Sequence, residues 1–214
     1  VRMVFHDTEL QRITGSEGNI HQLTAAEIAL LRASESKRFD VRFADEPIPT
    51  LEDVLQLLSQ WPQATAFVEI KTETVEKFGT KVVAQKMVSA LAAHQHNCSL
   101  ISFDAAVLQV ARDAGMQHIG WVVSKWNDAD RQQAERLAPD VLFCNYKKIP
   151  EKDELWPGVW QWALYDVVDA DVALHWFSRG ASLIETWNVG GLFNDPRLQT
   201  TDVSQSSAGK SDEE

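Results

Sequence analysis

Phe67-Val-Glu-Ile-Lys71 sets an acid and a base two residues apart within an otherwise apolar run. Side chains of a strand alternate between its faces, so Val68 and Ile70 share one face and Glu69 and Lys71 the other. Opposite charges on one face near a strand's end can hold a cation and an anionic group, or simply pair with each other. The strand pattern alone leaves both readings open. His6-Asp7 follows the apolar Val4-Phe5 and precedes a loop containing Gly15-Ser-Glu-Gly18. An imidazole at such a junction can give or take a proton near neutral pH. In an extended strand, neighbours face opposite ways, so Asp7 is not expected to orient His6. His21, His94, His96, His118 and His175 have no partners at ligand spacing and read as structural. Trp160 and Trp162 flank Gln161 and share a strand face, either as core or as a cleft wall, with Trp160 favoured for the core. Ser102-Phe103 closes another strand, which would set Phe103 at the mouth of such a cleft.

These residues need a scaffold, and the chain alternates strand-like with helix-like segments. Strands are expected at Val4-Phe5, 66–70, 99–103, 118–123, 141–145, 159–164 and 182–186. Thr24-Ala-Ala-Glu27 and Thr50-Leu-Glu-Asp53 carry the capping pattern that opens a helix. One long amphipathic helix is expected over 75–94, with others over 104–114, 128–137 and 171–179. From Ala66 onward this makes six strand–helix units, the pattern of a parallel sheet covered by helices. No Gly-x-Gly-x-x-Gly follows a strand, which argues against a dinucleotide fold. The pattern favours an α/β barrel of the (β/α)8 type, short of about two of its eight strands, with an open sheet as the alternative.

Composition narrows the function classes. Of 214 residues, 44% are apolar and 24% charged, enough for one soluble domain, expected over residues 1–199. The Ser/Asp/Glu-rich stretch 200–214 is expected to be a disordered acidic tail. Lys plus Arg number 20 against 31 Asp plus Glu, a net charge of −11, which disfavours nucleic acid and anionic membranes as partners. No apolar run approaches a membrane span. Cys98 and Cys144 do not form a C-x-x-C pair; two buried thiols is the favoured reading and a single disulfide the other. No signal segment is visible after Val1, and a cytoplasmic location is expected. The oligomeric state is left open.

Taken in order, the motifs resemble the glycerophosphodiester phosphodiesterase family. Val4-Phe-His-Asp-Thr-Glu-Leu-Gln-Arg-Ile-Thr-Gly15 is similar to the family's "His-Asp … Leu … Arg-Thr-Thr" segment, and Ile20-His-Gln-Leu-Thr24 to its "Ile-x-x-Leu-Thr". Ile48-Pro-Thr-Leu-Glu-Asp-Val54 resembles the peptide closing the family's small insertion, which follows the His-Asp segment. Phe67-Val-Glu-Ile-Lys71 resembles "Asn-x-Glu-Ile-Lys", Ile101-Ser-Phe103 its "Ser-Phe" strand, and Trp162 falls where "Trp-Thr-Val-Asn" is expected. The resemblance runs to about residue 198. It implies a TIM-type (β/α)8 barrel that hydrolyses glycerophosphodiesters to glycerol 3-phosphate and an alcohol, within lipid and glycerol metabolism. It also implies a divalent cation, Ca²⁺ or Mg²⁺. By position, it makes His6 an acid–base histidine, Glu69 a metal-binding carboxylate, Lys71 a phosphate contact, and Phe103 and Trp162 borders of the substrate cleft.

The departures carry expectations of their own. The family's "His-Arg-Gly", "Glu-Asn-Thr" and "Glu-x-Asp" segments are absent, and with them a second histidine, an arginine and two metal carboxylates. The domain is thus expected to be incomplete at its N-terminus, and the chain alone inactive and poorly folded. Trp162-Ala-Leu-Tyr165 stands for "Trp-Thr-Val-Asn", and Ile184-Glu-Thr186 for "Ile-Thr-Asp". Two alternatives remain: a non-catalytic relative kept for binding or scaffolding, and a lyase-type phospholipase or sphingomyelinase-like barrel that would release a cyclic phosphate.

Overall fold

The computed structural model describes residues 1–199, so the tail expected over 200–214 lies outside the described residues. Among these, six strands form one sheet: β1 (Ala66–Ile70), β2 (Cys98–Ser102), β3 (Ile119–Val122), β4 (Val141–Asn145), β5 (Gln161–Tyr165) and β6 (Leu183–Ile184). They follow one another in chain order. The chain divides into two compact units, Val1–Gly120 and the residues from Trp121 on. No helix of the described residues is long and apolar enough to cross a membrane.

In the first unit, β1 and β2 run parallel, with Glu69 opposite Ile101 and Ile70 opposite Ser102. Every residue of β2 is buried, as a parallel strand covered on both faces must be. Leu91, Leu100, Val107, Leu108 and Ala111 form its tightest core. Each such aliphatic side chain contributes about 1.5–3 kcal/mol on leaving water. Both expected capping boxes are present: Thr24 with Glu27 opens helix Ala25–Ile28, and Thr50 with Asp53 opens helix Leu51–Leu58.

Two expectations fail here. Val4-Phe5 forms no strand; instead Met3 bridges Thr50 and the Val4 amide bonds the Pro49 carbonyl, so this segment is fixed to the start of helix Leu51–Leu58. The single helix expected over 75–94 is two, Thr72–Phe78 and Thr80–Leu91, followed by a 3-10 turn, Ala92–His94. Gly79 separates them at φ +86°, a conformation open to glycine and costly for other residues.

In the second unit, β4, β5 and β6 are parallel neighbours, with Leu142 opposite Trp162 and Leu164 opposite Ile184. Helix Asp128–Leu137 starts under an Asn127 cap and helix Ala170–Ser178 under an Asp169 cap. Both cysteines are free and buried. Burial pushes the Cys144 thiol up to about 11, which makes it unreactive near neutral pH.

Candidate active site

The alternation read from Phe67-Val-Glu-Ile-Lys71 holds in β1. Ile70 is buried, while Lys71 Nζ donates to Glu69 Oε2 at 2.7 Å on the other face. The pair is partly shielded, at 25% side-chain exposure for Glu69 and 28% for Lys71. The second carboxylate oxygen differs in kind: Glu69 Oε1 is buried and has no hydrogen-bond partner. A buried, unsatisfied oxygen on a charged group costs about 1–3 kcal/mol or more, so folding alone gives no reason to place it there.

The end of β1 is fixed from β2. Buried Ser102 donates its hydroxyl to the Ile70 carbonyl at 2.7 Å and accepts the Asp104 amide at 3.0 Å. Asp104 in turn accepts the amides of Ala106 and Val107 and so caps helix Ala105–Asp113. One hydroxyl thus ties the peptide between Glu69 and Lys71 to the next helix start. Sequence reading saw Ser102 only as part of a strand end; its position just before an Asp cap was the available signal. Phe103, one residue past the Ile70–Ser102 pair and so level with Lys71, is 37% exposed.

His6 stands in a bend, not an extended strand, and this reverses the expectation about its neighbour. His6 Nδ1 lies 2.7 Å from Asp7 Oδ1. Arg12, on the single-turn helix Gln11–Thr14, grips the same carboxylate with Nε to Oδ2 at 2.5 Å and Nη2 to Oδ1 at 2.7 Å. Its third donor, Nη1, reaches Glu35 Oε1 at 3.0 Å, which in turn faces Arg38. The Arg12 fork holds the Asp7 carboxyl at about 2, against an ordinary 3.8. The His6 ring itself is 73% exposed. Asp7 and Arg12 escaped the sequence reading because strand alternation was applied to a segment that bends.

Of the remaining histidines, His21 has a packing contact: Nε2 is 3.2 Å from Thr74 Oγ1, and the ring meets Phe78 edge-on. Trp162 lies in the second unit and is 4% exposed. Its Nε1 donates to the Trp156 carbonyl at 3.0 Å, as does Trp160 Nε1 at 3.3 Å. Trp126 stacks on Trp156 with centroids 4.2 Å apart, and its Nε1 donates to Asp153 at 2.8 Å. Trp162 contacts both of those rings within this aromatic cluster.

A hard cation takes carboxylate oxygens, six to eight of them for Ca²⁺. Glu69 Oε1 suits one such position, since it is a carboxylate oxygen with nothing else to bond. No group of three or more His, Cys, Asp or Glu among the described residues could hold a metal ion. The described residues therefore do not by themselves complete a cation site.

A family model described as "Glycerophosphoryl diester phosphodiesterase family" matches residues 1–152, well over half of the chain. The chain belongs to that family. It stands among enzymes, the phosphoric diester hydrolases. Solved structures agree on the fold. An Oleispira antarctica phosphodiesterase, in complex with the product sn-glycerol-3-phosphate, superposes with a TM-score of 0.74 at 21% identity, over 89% of this chain and 77% of that one. A glycerophosphodiester phosphodiesterase from Parabacteroides distasonis gives 0.67 at 18% identity, over 87% and 74%. One from Agrobacterium tumefaciens gives 0.64 at 17% identity, over 89% and 79%. No curated protein matches. The fold is thus the family's TIM-type barrel, with six of its strands among the described residues.

Proposed function

We propose that these residues serve the hydrolysis of glycerophosphodiesters to glycerol 3-phosphate and an alcohol. The observation that carries the reading is the buried, unpartnered Glu69 Oε1 beside the Lys71 ammonium, at the end of β1 in a chain of this family. Strand ends of this kind are where such barrels build their sites.

In this reaction a water oxygen adds to phosphorus, and the bond from phosphorus to the alcohol oxygen breaks. His6 donates the proton that the departing alkoxide takes up, and the proton lost by the water replaces it through solvent. Lys71 places positive charge where the phosphoryl oxygens gain negative charge. Glu69 contributes one oxygen toward a divalent cation, Ca²⁺ or Mg²⁺, which when bound neutralises phosphate charge. Phe103 borders the small-molecule substrate, as the family resemblance implies. With a single carboxylate ligand among the described residues, the reading expects the 214-residue chain alone to be inactive and turnover to need the chain completed to an eight-stranded barrel.

The test is an assay of the eight-stranded protein and of this chain alone on glycerophosphocholine, with either cation added. The reading expects glycerol 3-phosphate from the first and none from the second. Release of a cyclic glycerophosphate, or robust cation-dependent hydrolysis by the chain alone, would overturn it.

A further inference from the structure

We infer that Asp7 and Arg12 form a positioning clamp for His6, in which Arg12 fixes the Asp7 carboxylate and the carboxylate fixes which imidazole nitrogen stays free to meet the substrate. The inference rests on the acid–base reading of His6 and adds to it the residues through which that histidine is held.

The geometry is specific. Asp7 Oδ1 lies 2.7 Å from His6 Nδ1, so that nitrogen is the one engaged with the protein. The ring is otherwise open to solvent at 73% side-chain exposure, which leaves the Nε2 edge as the accessible one. An exposed imidazole on a bend has several rotamers and two neutral tautomers, and only a fixed acceptor selects among them. Asp7 cannot drift from that role, because both of its oxygens are held by Arg12, which is itself anchored on Glu35. A guanidinium fork spanning a carboxylate is the geometry that confers orientation as well as attraction. Asp7 is correspondingly shielded, at 23% side-chain exposure, between an exposed histidine and a half-exposed arginine. Glu35 sits at φ +39°, a left-handed conformation uncommon for a side chain of its kind, at the point where it accepts Arg12.

The clamp has two chemical consequences. In neutral His6 the proton resides on Nδ1, facing Asp7. In the imidazolium, the Nδ1 proton faces a full negative charge while the Nε2 proton points outward, ready to be donated. The charged groups of this network are Asp7, Arg12, Glu35 and Arg38.

Asp7→Asn is nearly isosteric but leaves one oxygen for the donors of Arg12. Its oxygen and its NH₂ can take either of the two places that Asp7 oxygens hold against His6 and Arg12, so the ring is no longer held to one tautomer. The measurement is ¹⁵N NMR of histidine-labelled eight-stranded protein, with the His6 signals assigned by comparison with His6→Gln. The clamp expects the Nδ1–H tautomer alone in the wild type and a mixture with the Nε2–H tautomer in Asp7→Asn. It also expects a loss in kcat of roughly tenfold or more with little change in KM, since general acid–base catalysis is worth about 10²–10⁴. Arg12→Gln, which keeps the carboxylate and removes its fork, should move each readout the same way by less, and it covers the case in which Asp7→Asn does not fold. An unchanged His6 tautomer in both variants overturns the clamp, whatever the rates do. A mixture of tautomers with unchanged kcat upholds the clamp and overturns the acid role of His6, so the two failures are distinguishable.

Discussion

Lys71 Nζ lies 2.7 Å from one oxygen of Glu69, while the other oxygen of that carboxylate is buried and bonded to nothing. The two oxygens thus differ, one answered within the chain and the other without a partner among the described residues. An ion pair kept only for stability gains by satisfying both.

Glu69→Gln therefore should not destabilise the fold. The change removes a buried charge, exchanges an unpartnered oxygen for an unpartnered amide group, and weakens one half-shielded ion pair. The expected shift in urea unfolding free energy is within about 0.5 kcal/mol of the original, or slightly favourable, as at sites where function is held at a cost in stability. A loss of several kcal/mol would mean that Glu69 is structural.

Lys71→Met should act mainly on kcat. Removing a charge placed for the transition state lowers kcat by about 10²–10³-fold in comparable sites. Steady-state kinetics on a glycerophosphodiester checks this; a rise in KM at constant kcat would assign Lys71 to ground-state binding alone.

Ser102→Ala removes a buried hydroxyl that makes two bonds, one to the Ile70 carbonyl and one from the Asp104 amide. Both backbone groups lose a partner, so a destabilisation of about 1–3 kcal/mol is expected by urea titration. Because the Ile70 carbonyl lies between Glu69 and Lys71, a parallel drop in kcat is expected as well.

Asp7 gives the fold a pH signature. Its folded value of about 2 lies below its ordinary 3.8, with the Arg12 hydrogen bonds as the main cause. A depressed carboxyl stabilises the fold fully above its unfolded value and stops doing so as pH falls through its folded one. Comparing wild type with Asp7→Asn by urea unfolding from pH 6 to pH 2, the gap in stability should be constant down to about pH 4 and close below it. A gap independent of pH would contradict the Arg12–Asp7 interaction.

Much of this was legible in the sequence, for reasons that differ by residue. Strand periodicity alone puts Glu69 and Lys71 on one face, because alternation is a local property of extended chain. The Thr24 and Thr50 caps were legible for the same reason: each uses a side chain three residues from its partner. The Gly79 break was missed because an apolar helical period runs on past a single glycine, and only the backbone reveals the positive φ. The His6–Asp7 contact was missed because the chain bends at His6 just after Val4 bonds to Pro49, a contact between residues 45 positions apart. The same limit applies to Ser102, whose acceptor lies 32 residues back.

The most direct test of the central claim is a coupled assay of glycerol 3-phosphate release from glycerophosphocholine by the eight-stranded protein and its Glu69→Ala variant, each with Ca²⁺ or Mg²⁺ and with chelator. The account predicts cation-dependent release by the first and a rate at the chelator background from the second. Wild-type release by Glu69→Ala, still dependent on the cation, would contradict it.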